Sequence, residues 1–453
     1  MHSELLGVRN LVYRSLDSAF MSYIMGNSQK KKKKATTESD WLNRPLHWAF
    51  DFAPILSSGG FDVVIGNPPY IEDGNYAKSD LEVIRFEHKS RKNSISSKIP
   101  PIYESRNCGN TYAYFIERSI NLLRDGGKFG FIVPISLVST DRMGPIREFV
   151  HRNSKAVEYF NFDDRPGKIF SGTEHSRSTI VITTKGSGTM EIITSKYHRW
   201  HTVDRPSLFN KLQTVDYKLR ERNEIIPKIG SKIERSIIEK LIAKSKGHTI
   251  GSFIGNGKES IWYHNAPQYW IHTHTESHLP FAEYYEYTEK DGKILLGKMI
   301  RREVTSQYKN LEFRKDDAIF VSALMNSSLF YWWFVIYSDG RHLLTQHISS
   351  FPVNLHSIDK ESKKKLSELH EILMESYEKN SNTKVNARKG GYAIKIKEII
   401  PKLSYDIIQK IDKIIYEIFG LDKDEADFIQ NFDISFRMGK EEKNLGESLT
   451  TSD

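Results

Sequence analysis

Asn67, Pro68, Pro69 and Tyr70 follow the apolar run FDVVIG and combine hydrogen-bond acceptors with a flat aromatic face. An aromatic exocyclic amine is a poor nucleophile because its lone pair is delocalised into the ring. Two acceptors on its two N–H bonds would push the nitrogen toward tetrahedral geometry and let it attack a sulfonium methyl group. Asn67 supplies a side-chain carbonyl. The carbonyl of Pro68 supplies a second, because Pro69 forces an extended conformation and fixes where that oxygen points. Tyr70 offers a ring on which another ring can stack. The plainer alternative is a strand ending in a proline turn. An apolar strand running straight into Asn-Pro-Pro-Tyr favours the chemical reading.

Stepping outward, the flanking rhythm is strand, helix, strand, helix, strand. FDVVIG is a continuous apolar run, expected as a strand buried on both faces. NTYAYFIERSINLLRDGG is expected as a helix with Asn110 or Thr111 at its start and a glycine stop. KFGFIVPIS and AVEYFNFDD are expected strands, separated by TDRMGPIREFVHRN, a helix with an awkward Gly144-Pro145. STIVITTKGSGTMEIITSKY supplies two β-rich runs around a Lys-Gly-Ser-Gly turn, a hairpin signal. Past about Arg199, helical stretches mix with aromatic-rich irregular segments, and the tail from about 361 is helical.

Composition sets bounds. The 453 residues suffice for two or three domains, and a net charge of +9 suits a polyanionic partner without requiring one. The single cysteine, Cys108, excludes an intrachain disulfide and a cysteine-built zinc site, and fits a reducing cytoplasm. Met1–Asn10 has no apolar signal-peptide region. Ala318–Ser338 is uncharged and of spanning length, but Met325-Asn326-Ser327-Ser328 interrupts it. A helix turning into a second buried element is expected rather than a membrane span. His272, His274 and His278 are read as a polar surface strand, so no metal is expected. The lysine run Lys30–Lys34 reads as a solvated linker. Asp80, Glu87 and Lys89 only loosely match a nuclease pattern.

At FDVVIGNPPYI the chain resembles the catalytic motif of the adenine-N6 DNA methyltransferases. The resemblance continues in order through NTYAYFIERSINLLRDGGKFGFIVP and DRPGKIFSGTEHSRSTIVI. Further on, SALMNSSLFYWWFVIYSDGRHL and FGLDKDEADFI resemble TaqI-like methyltransferases and fused type IIG restriction–modification enzymes. This resemblance implies an α/β fold: a partial Rossmann-like class I methyltransferase sheet with an antiparallel edge hairpin, then an α+β target-recognition domain and a helical tail. The corresponding segments are a helical lead-in and Lys-rich linker (1–60), a catalytic half (61–198), a target-recognition domain (199–360) and a helical C-terminal region (361–453).

The resemblance also implies roles. S-adenosyl-L-methionine is the methyl donor and double-stranded DNA the substrate, its adenine flipped out of the helix. Asn67, Pro68, Pro69 and Tyr70 are catalytic. Phe170 is the second stacking face for the target base. Phe115 packs on the cofactor, with Asn110 beside it. Arg301, Arg302, Arg341 and His342 are candidate DNA contacts. In such enzymes a glycine-rich cofactor loop and a ribose-binding acid precede NPPY. Here Gly7 and Gly26 are isolated and no G-x-G follows a strand upstream of NPPY, and Gly255 and Gly257 read as a turn. A companion polypeptide carrying the cofactor loop is therefore expected, in a restriction–modification or phage-defence setting. The rival readings are a catalytically inert DNA-binding fragment and a methyltransferase acting on cytosine N4, RNA or protein glutamine.

Overall fold

The computed structural model describes residues 11–13, 15–16, 47–72, 103–170, 176–290, 293–388 and 390–439. Lys30–Lys34 and the Asp80, Glu87 and Lys89 pattern lie outside the described residues. The chain divides into two compact units. Met1–Phe160, Ser178–Ile193 and Asp216–Ile225 form unit 1; Asn161–Arg177, Thr194–Val215 and Ile226–Asp453 form unit 2. Residues from both 199–360 and 361–453 thus fall in unit 2.

The strands β1 (Phe61–Gly66), β2 (Leu123–Pro134), β3 (Ser154–Phe162), β4 (Ser178–Lys185), β5 (Glu191–His198) and β6 (Thr214–Asp216) make one mixed sheet in the order β1-β2-β4-β3-β5-β6. In unit 1, β1 runs parallel to β2 and β4 runs antiparallel to β2. The α/β class with an antiparallel element stands, but the expected hairpin does not. β4 and β5 are separated by β3, so the Lys-Gly-Ser-Gly link joins strands that are not hydrogen-bonded neighbours. A turn signal fixes a reversal of direction; it does not fix which strand is taken as partner.

Helix α1 (Thr111–Leu122) packs on β1 and β2, and α2 (Gly144–Arg152) packs on α1. The side chain of Asn110 caps α1 by accepting from Tyr112 N at 3.3 Å. The helix passes into β2 at Leu123, before Gly126-Gly127, so the glycines fall inside the strand and not at a helix stop. Gly144-Pro145 opens α2, where a missing N–H costs nothing. Buried Arg147 ties α2 to the carbonyls of Leu137, Thr140, Asn223 and Glu224 at 2.7–3.2 Å. Phe129, Phe131, Val133, Val181, Ile116, Ile120 and Phe149 form the core.

β1 departs from expectation. Val63 is 57% exposed and Ile65 82%, so this strand is not buried on both faces. It is the edge strand of its sheet, paired with β2 alone among the described residues.

Unit 2 contains a three-stranded antiparallel sheet of β7 (Glu259–His264), β8 (Thr273–Thr275) and β11 (Tyr308–Phe313), in the order β11-β7-β8. A four-stranded one is built from β9 (Ala282–Lys290), β10 (Lys293–Glu303), β12 (Asn382–Arg388) and β13 (Tyr392–Glu398), in the order β10-β9-β13-β12. Its helices include α3 (Lys315–Met325) and α4 (Ser328–Tyr337), which bend by 72° at the predicted interruption. Ser327 caps α4 by accepting from Phe330 N at 3.2 Å, and Asp412 accepts from Ser328 N at 2.7 Å. Every residue of α4 is buried within the protein. No single helix among the described residues is long and apolar enough to cross a membrane. His274 is buried and His272 half-buried, which overturns the reading of this stretch as a surface strand. Hydrogen bonding of Thr273 to Ser322 and Asn326 draws β8 inward.

Candidate active site

The NPPY segment leaves the C-terminal end of β1 and is tied to α1 by Thr111. The Thr111 hydroxyl donates to the Pro69 carbonyl at 2.5 Å and accepts from Ile71 N at 2.9 Å, while Thr111 N donates to Ile71 O at 3.0 Å. Glu72 bridges to Asn110, and its carboxylate pairs with Arg142 at 3.0 Å. Sequence reading named Thr111 only as a possible helix start; its anchoring role depends on contact across the intervening segment and has no local signal.

Pro68 is buried and Asn67 exposed. The Tyr70 hydroxyl shares its one proton between the Asn67 side-chain oxygen and the Ile132 carbonyl of β2, the latter at 2.7 Å. Burial pushes the Tyr70 phenol up to about 12, so it stays a donor at neutral pH. A carboxamide oxygen has two lone pairs, so the phenol can orient Asn67 while one lone pair still faces solvent. The Tyr70 ring meets Tyr112 edge to face, with centroids 6.4 Å apart, and the Tyr112 hydroxyl bonds Ser136 at 2.8 Å. Asn67, Pro68, Pro69, Tyr70 and Asn110 thus gather in unit 1 around the end of β1, and Phe115 lies on α1 in the same unit. Phe115 points out of α1, 46% exposed, unlike its buried neighbours Tyr114 and Ile116. The Asn110 side chain is engaged as the helix cap.

The other predicted residues lie in unit 2. Phe170 is half-buried. Arg301 and Arg302 stand on β10, stacked over Tyr284 and Phe281 at 4.1 Å each. His342 is held by Asp339, whose carboxylate takes its ring N–H at 2.9 Å and its backbone N–H at 2.8 Å. Burial opposes ionisation of Asp339, but these bonds and the Arg341 backbone N–H hold it below its ordinary value. Arg341 lines a cleft of about 680 Å³ with Arg165, Arg177, Lys384, Tyr269 and Trp270. Sequence reading missed this cleft because its walls come from distant segments. Gly255 and Gly257 form a turn before β7: Gly255 N donates to Glu312 O at 2.8 Å, and a Cβ on Gly257 would stand 2.3 Å from Phe313 O. No group of three or more metal-ligating side chains occurs among the described residues.

An acceptor-bearing turn at the carboxyl end of a parallel strand, braced by the next helix, defines a candidate methyl-transfer centre on an α/β sheet. Residues 13–170 match the model of the Eco57I restriction-modification methylase family. The type II methyltransferase M.TthHB8I of Thermus thermophilus is 30% identical over 128 residues, which are 28% of this chain and 27% of that protein. The type II restriction enzyme and methyltransferase RM.Eco57I of Escherichia coli is 23% identical over 276 residues, 58% of this chain and 24% of that one. The type IIL restriction-modification enzyme MmeI, solved in complex with DNA, is similar over 83% of this chain and 57% of that one, with 10% identity and a TM-score of 0.39. In sequence the chain is thus similar to restriction–modification methyltransferases, as its NPPY block implied. It spans less than a third of the length of the curated relatives it matches.

Proposed function

We propose that this chain provides the catalytic and DNA-recognition part of an S-adenosyl-L-methionine-dependent adenine-N6 DNA methyltransferase of a restriction–modification system. The observation that carries the reading is the Asn67 side-chain oxygen, exposed at the end of β1 and oriented by the Tyr70 phenol. Asn67 and the Pro68 carbonyl take the two N–H bonds of the flipped adenine's amino group. Tyr70 stacks on the ring, and Phe115 packs against the donor's adenine. As the nitrogen–methyl bond forms, the sulfonium–methyl bond breaks, its electron pair stays on sulfur, and the nitrogen then loses a proton. No strong base is needed, because the amine becomes acidic once it is methylated. Bound S-adenosyl-L-methionine supplies the sulfonium methyl. Duplex DNA is held by the basic side chains of unit 2, with Arg341 in the cleft and Arg301 and Arg302 on β10.

Among the described residues no G-x-G loop follows a strand ahead of β1, so this reading assigns donor binding to a further polypeptide segment. The test is incorporation of labelled methyl groups into DNA, followed by nucleoside analysis. The full system should yield N6-methyladenine. N4-methylcytosine would move the substrate to cytosine, and DNA binding without methylation by the completed system would establish the inert-fragment reading. Calorimetric titration of the chain alone with S-adenosyl-L-methionine should show weak binding or none.

A further inference from the structure

Every residue lining the cleft of about 680 Å³ around Arg341 belongs to unit 2, whereas Asn67 and Tyr70 belong to unit 1. Six arginine and lysine side chains line the cleft, against the two carboxylates of Asp163 and Glu398. Most of these cations are already matched. Arg177 pairs with Asp163 at 3.1 Å and with Asp164 at 3.2 Å, and Arg199 with Asp163 at 2.9 Å. Lys384 pairs with Glu398 at 2.6 Å and Lys397 with Glu378 at 2.9 Å. Arg341 is different. It is half-buried, its backbone N–H is engaged by Asp339, and its guanidinium has no hydrogen-bond or ion-pair partner among the described residues. A planar guanidinium with its N–H bonds free is shaped to take a carboxylate or phosphate on two of them. The Thr305 hydroxyl, which also belongs to the lining, is buried and has no partner among the described residues either. A buried hydroxyl left unmet is costly.

The other walls are aromatic. Tyr269, Trp270 and Tyr308 line the cleft together with the imidazoles of His264 and His272. Those two imidazoles stack with centroids 5.4 Å apart, and Tyr308 meets them edge-on at 5.4 and 5.9 Å. Burial lowers the pKa of both, so this wall is uncharged at neutral pH. Tyr269 and Trp270 are held by the guanidinium groups of Arg199 and Arg437, 5.3 and 3.9 Å from their ring centroids. The cleft's volume falls within the roughly 300–1,000 Å³ of small-molecule sites. A base-paired step, with its four nucleotides, is too large for it.

Going beyond the assignment of Arg341 to duplex DNA, we propose that this cleft binds one unstacked nucleotide, with its phosphate on the Arg341 guanidinium and its base against Tyr269, Trp270 and Tyr308. Thr305 bonds a polar atom of the sugar or the base. The nucleotide comes either as a free nucleoside phosphate or as a residue turned out of a DNA strand away from the target adenine. The chemistry recognised is the same: one phosphate charge and one exposed aromatic face. The site does not depend on the methyl-transfer centre of unit 1. A free nucleotide in the cleft withdraws Arg341 from DNA.

The experiment titrates the full chain by calorimetry with the common deoxynucleoside monophosphates, the parent deoxynucleosides and inorganic phosphate. Wild type is compared with Arg341→Gln, Thr305→Val and the control Lys364→Gln. At least one monophosphate should bind wild type and control at one site per chain, about tenfold or more tighter than its nucleoside or inorganic phosphate. Arg341→Gln should erase the difference between nucleotide and nucleoside. Thr305→Val should weaken both by about fivefold without lowering the unfolding temperature, because the hydroxyl it removes had no partner. A monophosphate that binds in this way and displaces duplex DNA in a gel shift identifies a free nucleotide as the source. If no free monophosphate binds, a fluorescent adenine analogue scanned through the bound duplex decides the matter. Brightening away from the target adenine, lost in Arg341→Gln and kept in Asn67→Ala, identifies DNA as the source. Finding neither a bound monophosphate nor such a position overturns the proposal. So does inorganic phosphate that binds as tightly as the nucleotide, since Arg341 would then be a plain anion site. Nucleotide binding that survives both Arg341→Gln and Thr305→Val overturns it as well.

Discussion

The Tyr70 hydroxyl donates to the Asn67 side-chain oxygen, and on the methyltransferase proposal Asn67 does the chemistry while Tyr70 aims it. Asn67→Ala in the completed system should lower methylation by about 100- to 1000-fold, the usual loss for one preorganised hydrogen bond, with DNA affinity nearly unchanged in a gel-shift assay. Tyr70→Phe keeps the stacking ring but releases the Asn67 carboxamide and leaves the Ile132 carbonyl without its phenol partner. It should lower turnover by roughly tenfold, equivalent to about 1.4 kcal/mol, while DNA affinity holds. Tyr70→Ala should weaken target binding as well, because a stacking face is worth about 1–3 kcal/mol per base. A fluorescent adenine analogue at the target position reads that difference directly. Equal effects of Tyr70→Phe and Tyr70→Ala on DNA affinity would refute the division of labour.

At the level of elements, the site is a strand end sewn to a helix start. Thr111→Val preserves the side-chain shape but removes the hydroxyl that joins Pro69 O to Ile71 N. It should cost about 1–3 kcal/mol of stability for the unsatisfied groups and reduce methylation although Thr111 touches no substrate. Thermal unfolding and a kcat measurement together check this, and Thr111→Ser should restore both. Gly257→Ala tests the turn before β7 in the opposite sense. Its new Cβ would overlap Phe313 O, so unit 2 should lose about 1–3 kcal/mol, while donor binding by the completed system should not change. Lost donor binding in a folded Gly257→Ala protein would mark that turn as a cofactor loop after all.

Over the whole molecule, an unusual number of histidines are held neutral. Burial is the main cause for each: it pushes His151, His198, His347 and His370 down to about 4 and His274 to about 3. In the unfolded chain these rings protonate near pH 6.5. The unfolded state therefore binds more protons between about pH 6.5 and pH 4, and stability is lost as pH falls through that window. Asp412 works the other way, its carboxyl raised by burial to about 6 from an ordinary value of 3.8, but one group does not offset five. The unfolding temperature should drop between about pH 6.5 and pH 4, and His151→Gln should blunt that drop for unit 1. A flat profile would mean that these rings are not buried neutral. DNA binding should be salt-sensitive, log affinity falling linearly with log salt as counterions are released. Arg341→Ala should lower the slope by about one unit if Arg341 contacts a phosphate.

The amino-acid sequence alone determined the candidate motif, because NPPY is contiguous and its local chemistry is set by neighbouring residues. It also determined α1, α2 and the broken helix α3–α4, since period, caps and proline position act within a few residues. What only the tertiary structure decided depends on partners far along the chain. β4 pairs with β2, not with β5, although the turn between β4 and β5 is the shorter link. Thr111 secures Pro69 across some forty positions. His274 turns inward because Ser322 and Asn326 are waiting for the neighbouring Thr273. β1 shows the limit most plainly. Its composition says that it belongs inside a sheet, and composition is local. Whether anything pairs with its outer edge is not, and among the described residues nothing does, while Val63 and Ile65 stand exposed.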